Sequence, residues 1–238
     1  MTLDQLILPK SESWKMFDQI SGRYDFLNRV LSLGQDLRWR KRLNEFLPAG
    51  KNLKMLDLAT GTADVIISLM EDNPQITSGI GIDMAGEMLK IGQRKIEEKY
   101  LSSKITLQQA DAQNLPFLND TFDLLTIAFG IRNIPDLRLC LLEMFRVTKS
   151  GGCVLILEFS KPKNLFLRAG HFFYLRYVVP AIGFLLTGHY RAYKYLNQTI
   201  ETFPYGDVFC KILKQFGFKS IQALPLMGGV ATIYVGEK

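Results

Sequence analysis

Residues 56–64 read Leu56-Asp57-Leu58-Ala59-Thr60-Gly61-Thr62-Ala63-Asp64. The run starts as a short buried strand, Leu53 to Ala59, and turns at a glycine into a helical pattern, Ala63 to Asp72. A glycine there lets the backbone turn tightly and approach a ligand, and the helix that follows offers free N–H groups. Asp83 ends the next strand, about 20 residues on, where a carboxylate accepts hydrogen bonds from ribose hydroxyls. Asp111-Ala112 ends a third strand beside the same crevice.

Outward from this turn the pattern repeats. Ser78 to Asp83, Ile105 to Ala110, Phe122 to Phe129 and Gly152 to Phe159 read as strands. Ala85 to Tyr100 and Asp136 to Lys149 read as helices. The alternation predicts right-handed βαβ units and a parallel sheet. Residues 11 to 48 carry apolar side chains at helical spacing, broken at Gly34. Asp207 to Phe216 is a helix closed by Gly217, and Lys219 to Pro225 and Val230 to Gly236 form a terminal hairpin. The expected organisation is one α/β domain over 1–238. Residues 1–50 are a helical cover, 51–160 the cofactor core, 161–203 a basic aromatic helical insertion, and 204–238 the closing helix and hairpin.

The turn discriminates between cofactors. A dinucleotide site wants two further glycines, at the positions of Ala63 and Ile66. Ile66 is too large for the close helix–strand approach, so a pyrophosphate fits poorly. S-adenosylmethionine has a nucleoside and no phosphate, so it needs the ribose carboxylate but less of the glycine cradle. The competing reading is a generic α/β turn with Thr62 and Asp64 as helix caps.

The chain has 238 residues, 47% hydrophobic and 22% charged, enough for a sizeable core. Net charge is +6, which permits nucleic acid, an anionic membrane or an acidic ligand. Cys140, Cys153 and Cys210 lack metal-like spacing and read as reduced core thiols. The start has neither signal-peptide nor transit-peptide character. Between Glu158 and Glu201 there is no Asp or Glu, yet Lys161, Lys163, Arg168, Arg176, Arg191 and Lys194 fall there among many aromatics. Its longest apolar run, Tyr177 to Thr187, is interrupted by Pro180 and Gly183 and is too short to span a bilayer. A basic aromatic insertion on a nucleotide-binding enzyme suggests a greasy substrate taken from an anionic surface.

Several stretches resemble the ubiquinone/menaquinone biosynthesis C-methyltransferase family. They are MFDQISGRYDFLNRVLSLGQDLRWRKRL, LDLATGTAD, GID, DAQNLPFLNDTFDLLTIAFGIRNIPD, RVTKSGG, LEFSKP and YLNQTIETFP. The YDFLN, SLG, WR and FGIRN pieces are the specific ones. Ala63 stands where the family more often has glycine, and Ser150 where it has proline. The resemblance implies a class I methyltransferase sandwich, with a mostly parallel seven-stranded sheet and an antiparallel end. It implies S-adenosylmethionine contacts at Thr62, Asp83, Asp111, Ala112 and Ala128, with Gly61 and Asp57 in the same loop. Arg132, Asn133 and Tyr24 match positions that bind and deprotonate a quinol, and no metal is expected.

The implied reaction is C-methylation of a polyprenylated quinol. The GTAD loop resembles certain menaquinone-only members, which favours demethylmenaquinol. The alternative is 2-polyprenyl-6-methoxy-1,4-benzoquinol of ubiquinone synthesis, or both. The expected location is cytoplasmic, peripherally attached to the inner face of the cytoplasmic membrane, as a possible homodimer or part of a quinone-biosynthesis complex. Arg132 has chemistry to do because a guanidinium stays protonated and can stabilise an oxyanion and order a water. Asn28, Arg38, Trp39 and Arg40 read as structural, and His171 and His189 as core or interface histidines. Two rivals remain. A nucleic-acid methyltransferase would want an Asn/Asp-Pro-Pro-aromatic loop where Phe129-Gly130-Ile131-Arg132 stands, or a nucleophilic Cys there, whereas Cys140 falls on a helix. A non-catalytic relative would have no need to retain Asp83, Arg132 and Tyr24.

Overall fold

The computed structural model describes residues 9–187 and 190–238, with side chains described outside 186–193. Seven strands form one sheet: β1 (Leu53–Leu58), β2 (Ile76–Asp83), β3 (Ile105–Gln109), β4 (Phe122–Ala128), β5 (Thr148–Phe159), β6 (Lys219–Leu226) and β7 (Ala231–Glu237). Their order is β3-β2-β1-β4-β5-β7-β6. The first five are parallel, and β7 pairs antiparallel with both β5 and β6. The order reverses between β1 and β4, so connections leave in opposite directions there and a crevice opens at the strands' carboxyl ends.

Parallel strands covered on both faces are apolar throughout, but their side chains still alternate. Met55, Leu124, Leu155 and Ile233 face one layer with Ile66, Leu69 and Trp39. Leu56, Leu58, Ile127, Ile156 and Tyr234 face the other, with Leu141, Met144, Phe209 and Leu213. The helices supplying these layers are α2 (Gln35–Lys41), α3 (Asp64–Asp72), α4 (Gly86–Glu98), α5 (Leu137–Val147) and α9 (Asp207–Gln215). A third cluster lies above the strand ends. Met16 and Leu27 of α1 (Ser13–Leu31) pack there against Leu175, Val179, Tyr195 and Ile200. The last four come from the segment built of α6 (Leu165–Phe173), a π-helical stretch at Tyr174–Val178, α7 (Val179–Thr187) and α8 (Tyr190–Thr202).

One local expectation and one part of the competing reading are corrected. Thr148 and Lys149 belong to β5, not α5, because Thr148 pairs with Phe122 across the sheet. Neither Thr62 nor Asp64 caps α3. The residue before it, Ala63, is left-handed (φ 65°) and supplies no side-chain cap. As expected, Gly34 (φ 73°) ends the first helical run and Gly217 (φ 97°) follows α9. Cys140 and Cys153 are buried free thiols, and Cys210 is half-buried.

The loops after β1 and β4 touch at Gly130, where an added Cβ would lie 2.5 Å from that of Ala59. Gly130→Ala should therefore cost about 1–3 kcal/mol through overpacking. Gly22→Ala, in mid-α1 with nothing within 4 Å of the new carbon, should stabilise by about 0.5–1 kcal/mol. Thermal unfolding of the two variants checks both signs. A Gly130→Ala protein as stable as the parent would mean that the loops do not meet in this way.

Candidate functional site

The turn after β1 is held from beneath. Asp57 is buried and accepts from the hydroxyls of Thr60 (2.6 Å) and Thr126 (2.5 Å). Burial pushes its carboxyl up to about 6, although both threonines oppose the shift. Ala59, Gly61 and Ala63 all have positive φ, so the chain coils tightly around Gly61. The Gly61 N–H donates to Asp83 Oδ2 (2.8 Å), and the Ala85 N–H donates to Asp83 Oδ1 (2.8 Å). Burial pushes the Asp83 carboxyl up, and these N–H groups pull it back. The Met84 N–H also faces this carboxylate, which still keeps a lone pair for a further donor.

Above this turn lies a cavity of about 130 Å³. Gly61, Asp83, Asp111, Ala112, Ala128 and Asn133 line it, with Tyr24 and Trp14 from α1. Nothing lies within 4 Å of where a Gly61 Cβ would project, so the space belongs to the cavity. The Asp111 carboxylate turns back to Gln113, accepting its backbone N–H at 2.9 Å. Asp57 and Thr62 do not line the cavity. Asp57 is engaged below the loop, and the Thr62 hydroxyl donates to Asp25 (2.7 Å) and accepts from Lys95 (3.0 Å).

A second cavity, about 470 Å³, lies between α1 and the α6–α8 segment. That size suits a small-molecule site. Phe17, Tyr24, Phe129 and Asn133 line both cavities and form the wall between them. Most of the second chamber is apolar: Ile20, Leu27, Phe159, Leu175, Val179 and Leu196. Its polar end carries Arg132, in the turn Ile131–Asn133 after β4.

Arg132 is 4% exposed, so it is no surface loop residue. Its Nη1 donates to Glu158 Oε1 at 2.7 Å and to the carbonyl of Phe129, and its guanidinium lies over Phe159 (5.2 Å). The Nε of Arg132 and the Oδ1 of Asn133 are buried with no hydrogen-bond partner. Burial pushes the Tyr24 phenol up, with Asn28, Arg40 and Arg132 opposing, so it stays protonated at neutral pH. The structure thus gathers Tyr24, Arg132 and Asn133 at one place. Glu158 escaped the sequence reading. The available signal was a lone acid at the end of an apolar strand, since a buried carboxylate needs a partner.

The α1 and α2 helices are anchored by charge. Asp64 meets Arg29 and Lys95 at 2.7 Å and Arg40 at 3.4 Å, while Asp36 also binds Arg29 and Arg40. Burial works against ionised Asp64, yet Arg40, Lys95 and Arg29 hold its carboxyl below the usual range. Lys95 also binds Asp25. Trp39 is buried against Phe129 and Phe159. These residues fix the wall that α1 gives to both cavities. His171 lines the second cavity, half-buried and stacked on Phe172, while His189 lies outside the described residues.

This geometry has relatives. The chain is 44% identical over 225 residues to a "Ubiquinone/menaquinone biosynthesis C-methyltransferase" of Geotalea daltonii, covering 94% of this chain and 95% of that one. It is 36% identical over 231 residues to a "Demethylmenaquinone methyltransferase" of Porphyromonas gingivalis, covering 97% and 94%. A crystal structure of a SAM-dependent methyltransferase from Thermotoga maritima, described as a possible histamine N-methyltransferase, shares the fold. Its TM-score is 0.66 at 16% identity, covering 94% of this chain and 99% of that one. The family model for the ubiE/COQ5 methyltransferase family matches residues 8–238, and the chain belongs to that family.

Proposed function

We propose that the protein methylates a ring carbon of a polyprenylated hydroquinone, with S-adenosylmethionine as donor and demethylmenaquinol as the acceptor. One observation carries the reading: a polar cavity over the strand ends and a larger apolar one share a wall whose near side holds Arg132, Asn133 and Tyr24. The naphthoquinol acceptor is favoured because menaquinone is common to the names of both relatives. The first of those names also covers ubiquinone, which keeps the benzoquinol as second reading.

The polar cavity fits a nucleoside donor. The Asp83 carboxylate keeps a lone pair for a further donor, and Gly61 leaves room where any side chain would intrude. Asp83 and Gly61 would hold the ribose end, with Asp111, Ala112 and Ala128 beside it. S-adenosylmethionine supplies an electrophilic methyl group when bound.

The remaining work falls to this chain's residues. Arg132 and Asn133 both line this chamber, where the amide can accept the acceptor's hydroxyl hydrogen and the guanidinium can donate to the same oxygen as it becomes anionic. Tyr24, protonated, donates from the α1 side. Once the hydroxyl proton has gone to solvent, negative charge spreads to the ring carbon. A C–C bond forms to the methyl group as the donor's C–S bond breaks, and loss of the ring hydrogen restores aromaticity. One net proton is released. Phe17, Phe129 and Phe159 keep water from the wall between the chambers.

The acceptor's tail has a way out. Phe166 (89% exposed), Leu33 and Met227 line the large cavity and are also open to solvent. Leu165, Phe173, Tyr177 and Leu185 of the same segment are exposed as well, and apolar groups of this kind suit insertion into a bilayer interface. Among the described residues no helix is long and apolar enough to cross a membrane. One part of the sequence expectation changes: Arg176 is not free for lipid head groups. It makes two 2.8 Å bonds to Glu201 and lies over Phe172. The reading is of peripheral attachment to the membrane that dissolves the substrate.

Three outcomes test this. Asp83→Ala should weaken S-adenosylmethionine binding by about 2–4 kcal/mol, as for lost charge-assisted hydrogen bonds. Unchanged calorimetric affinity in the folded variant would remove Asp83 from the donor site. Turnover should require reduced acceptor, and Arg132→Lys should lose about 100-fold in kcat, because one ammonium cannot replace the planar fork. Equal turnover of oxidised quinone would overturn the nucleophile. Finally, the protein should sediment with anionic vesicles. Leu165→Ser with Phe166→Ser should weaken this more than Arg176→Gln, since each apolar side chain contributes about 1.5–3 kcal/mol against about 1 for a cation. Absence of vesicle binding at every salt concentration would sink the membrane part alone.

A further inference from the structure

The Glu158 carboxylate is fully buried, one residue before the end of β5, and is not part of either cavity's lining. It receives Arg132 Nη1 (2.7 Å), the Phe159 N–H (2.7 Å) and, more weakly, the Arg132 N–H (3.4 Å). Burial pushes the carboxyl up, and the guanidinium and these N–H groups oppose it. A hydrophobic pair of similar size often serves stability equally well, so a charge pair in this place asks for another reason. The arginine lines the acceptor's chamber and its buried Nε has no hydrogen-bond partner, while the carboxylate lies off that lining.

We propose that Glu158 is a positioning residue that sets how readily the bound acceptor's hydroxyl loses its proton, by cancelling part of the Arg132 charge. The inference rests on the quinol reading of the second cavity. A cation beside a phenolic oxygen favours the anion, and an anion behind the cation opposes that. Both effects are large where water is excluded. An uncompensated guanidinium would make the hydroxyl too acidic and would hold electron density on oxygen, leaving the ring carbon a poorer nucleophile. Glu158 moderates this, so the phenolate forms yet stays reactive at carbon. It also fixes the fork: Nη1 is tied to Glu158 and Phe129, which leaves the rest of the guanidinium for the acceptor.

The other ionisable groups on this chamber differ in kind. Arg40 is met by Asp36 and Asp64, so it adds little net charge. Tyr24, Tyr174 and Tyr195 are all pushed up by burial and stay neutral. Burial pushes the His171 imidazole down, so it too is neutral above its ordinary range. Lys10, which borders the smaller cavity, lies within electrostatic reach of both Arg132 and Glu158.

The test reads ionisation of a bound probe and does not depend on methyl transfer. With 1-naphthol in the second cavity, naphtholate absorbance is followed against pH. Glu158→Gln keeps the two bonds at Oε1 through its amide oxygen, gives up the weak one from the Arg132 N–H, and removes the charge. It should lower the bound probe's ionisation midpoint by about 1–2 pH units. In turnover it should reduce kcat about 10-fold or more with little change in KM. An unchanged midpoint overturns the inference. Should Glu158→Gln not fold, Arg132→Gln with Glu158→Gln removes both charges together, a change that buried pairs tolerate. Its midpoint should rise above the wild-type value, and equality with wild type overturns the inference as well. Failure of the wild-type protein to bind 1-naphthol at all would instead count against the quinol reading of the cavity.

Discussion

The reversal of strand order between β1 and β4 governs everything else in this molecule. Parallel strands joined by right-handed crossovers must send their connections to opposite sides at that point, so no crossover helix fills the gap. The turn at Gly61 and the turn at Ile131–Asn133 end up facing each other across it. One becomes the floor of a polar cavity and the other the polar end of an apolar one. Gly130 marks how tightly they meet, since its missing Cβ is what lets Ala59 come so near.

Charge is used in two ways around this gap. Toward the rim, Arg29, Asp36, Arg40, Asp64 and Lys95 form a network of several partners each, which anchors α1 and α2 to α3 and α4. Such a network serves geometry, because each carboxylate has cations on more than one element. Deeper, Arg132 and Glu158 form an isolated pair with almost no exposure. Few solvent dipoles can reorganise there, so the pair acts on whatever lies beside it more strongly than a surface pair could.

The cover segment separates two jobs that its composition blends. Its inward aromatic and aliphatic groups, Tyr174, Leu175, Val179 and Tyr195, close the large cavity against α1. Its outward groups, including Leu185 and Phe166 at the edge of that cavity, stay exposed. The cations are not a uniform outward layer. Lys161 donates to the carbonyl of Glu201, and Arg176 is bound by that residue's carboxylate. The exposed apolar strip, more than the raw charge, is therefore what distinguishes this face.

The sequence by itself determined the alternation of strands and helices, the antiparallel end, and the glycine turn followed by Asp83, because each rests on local periodicity and backbone freedom. It also picked out Tyr24, Arg132 and Asn133 as candidates, through short motifs. What it could not decide was which side chains face a cavity and which face each other. Asp57 lies near the end of β1 and Thr62 follows Gly61 in the turn after it, yet their oxygens are taken by Thr60 and Thr126, and by Asp25 and Lys95. Glu158 looked like any acid at a strand end until β5 brought it beneath the turn after β4. Those pairings join residues far apart along the chain. Only the register of neighbouring strands and the docking of α1 over their ends set them, and that information exists in the packed molecule and not in any local window of sequence.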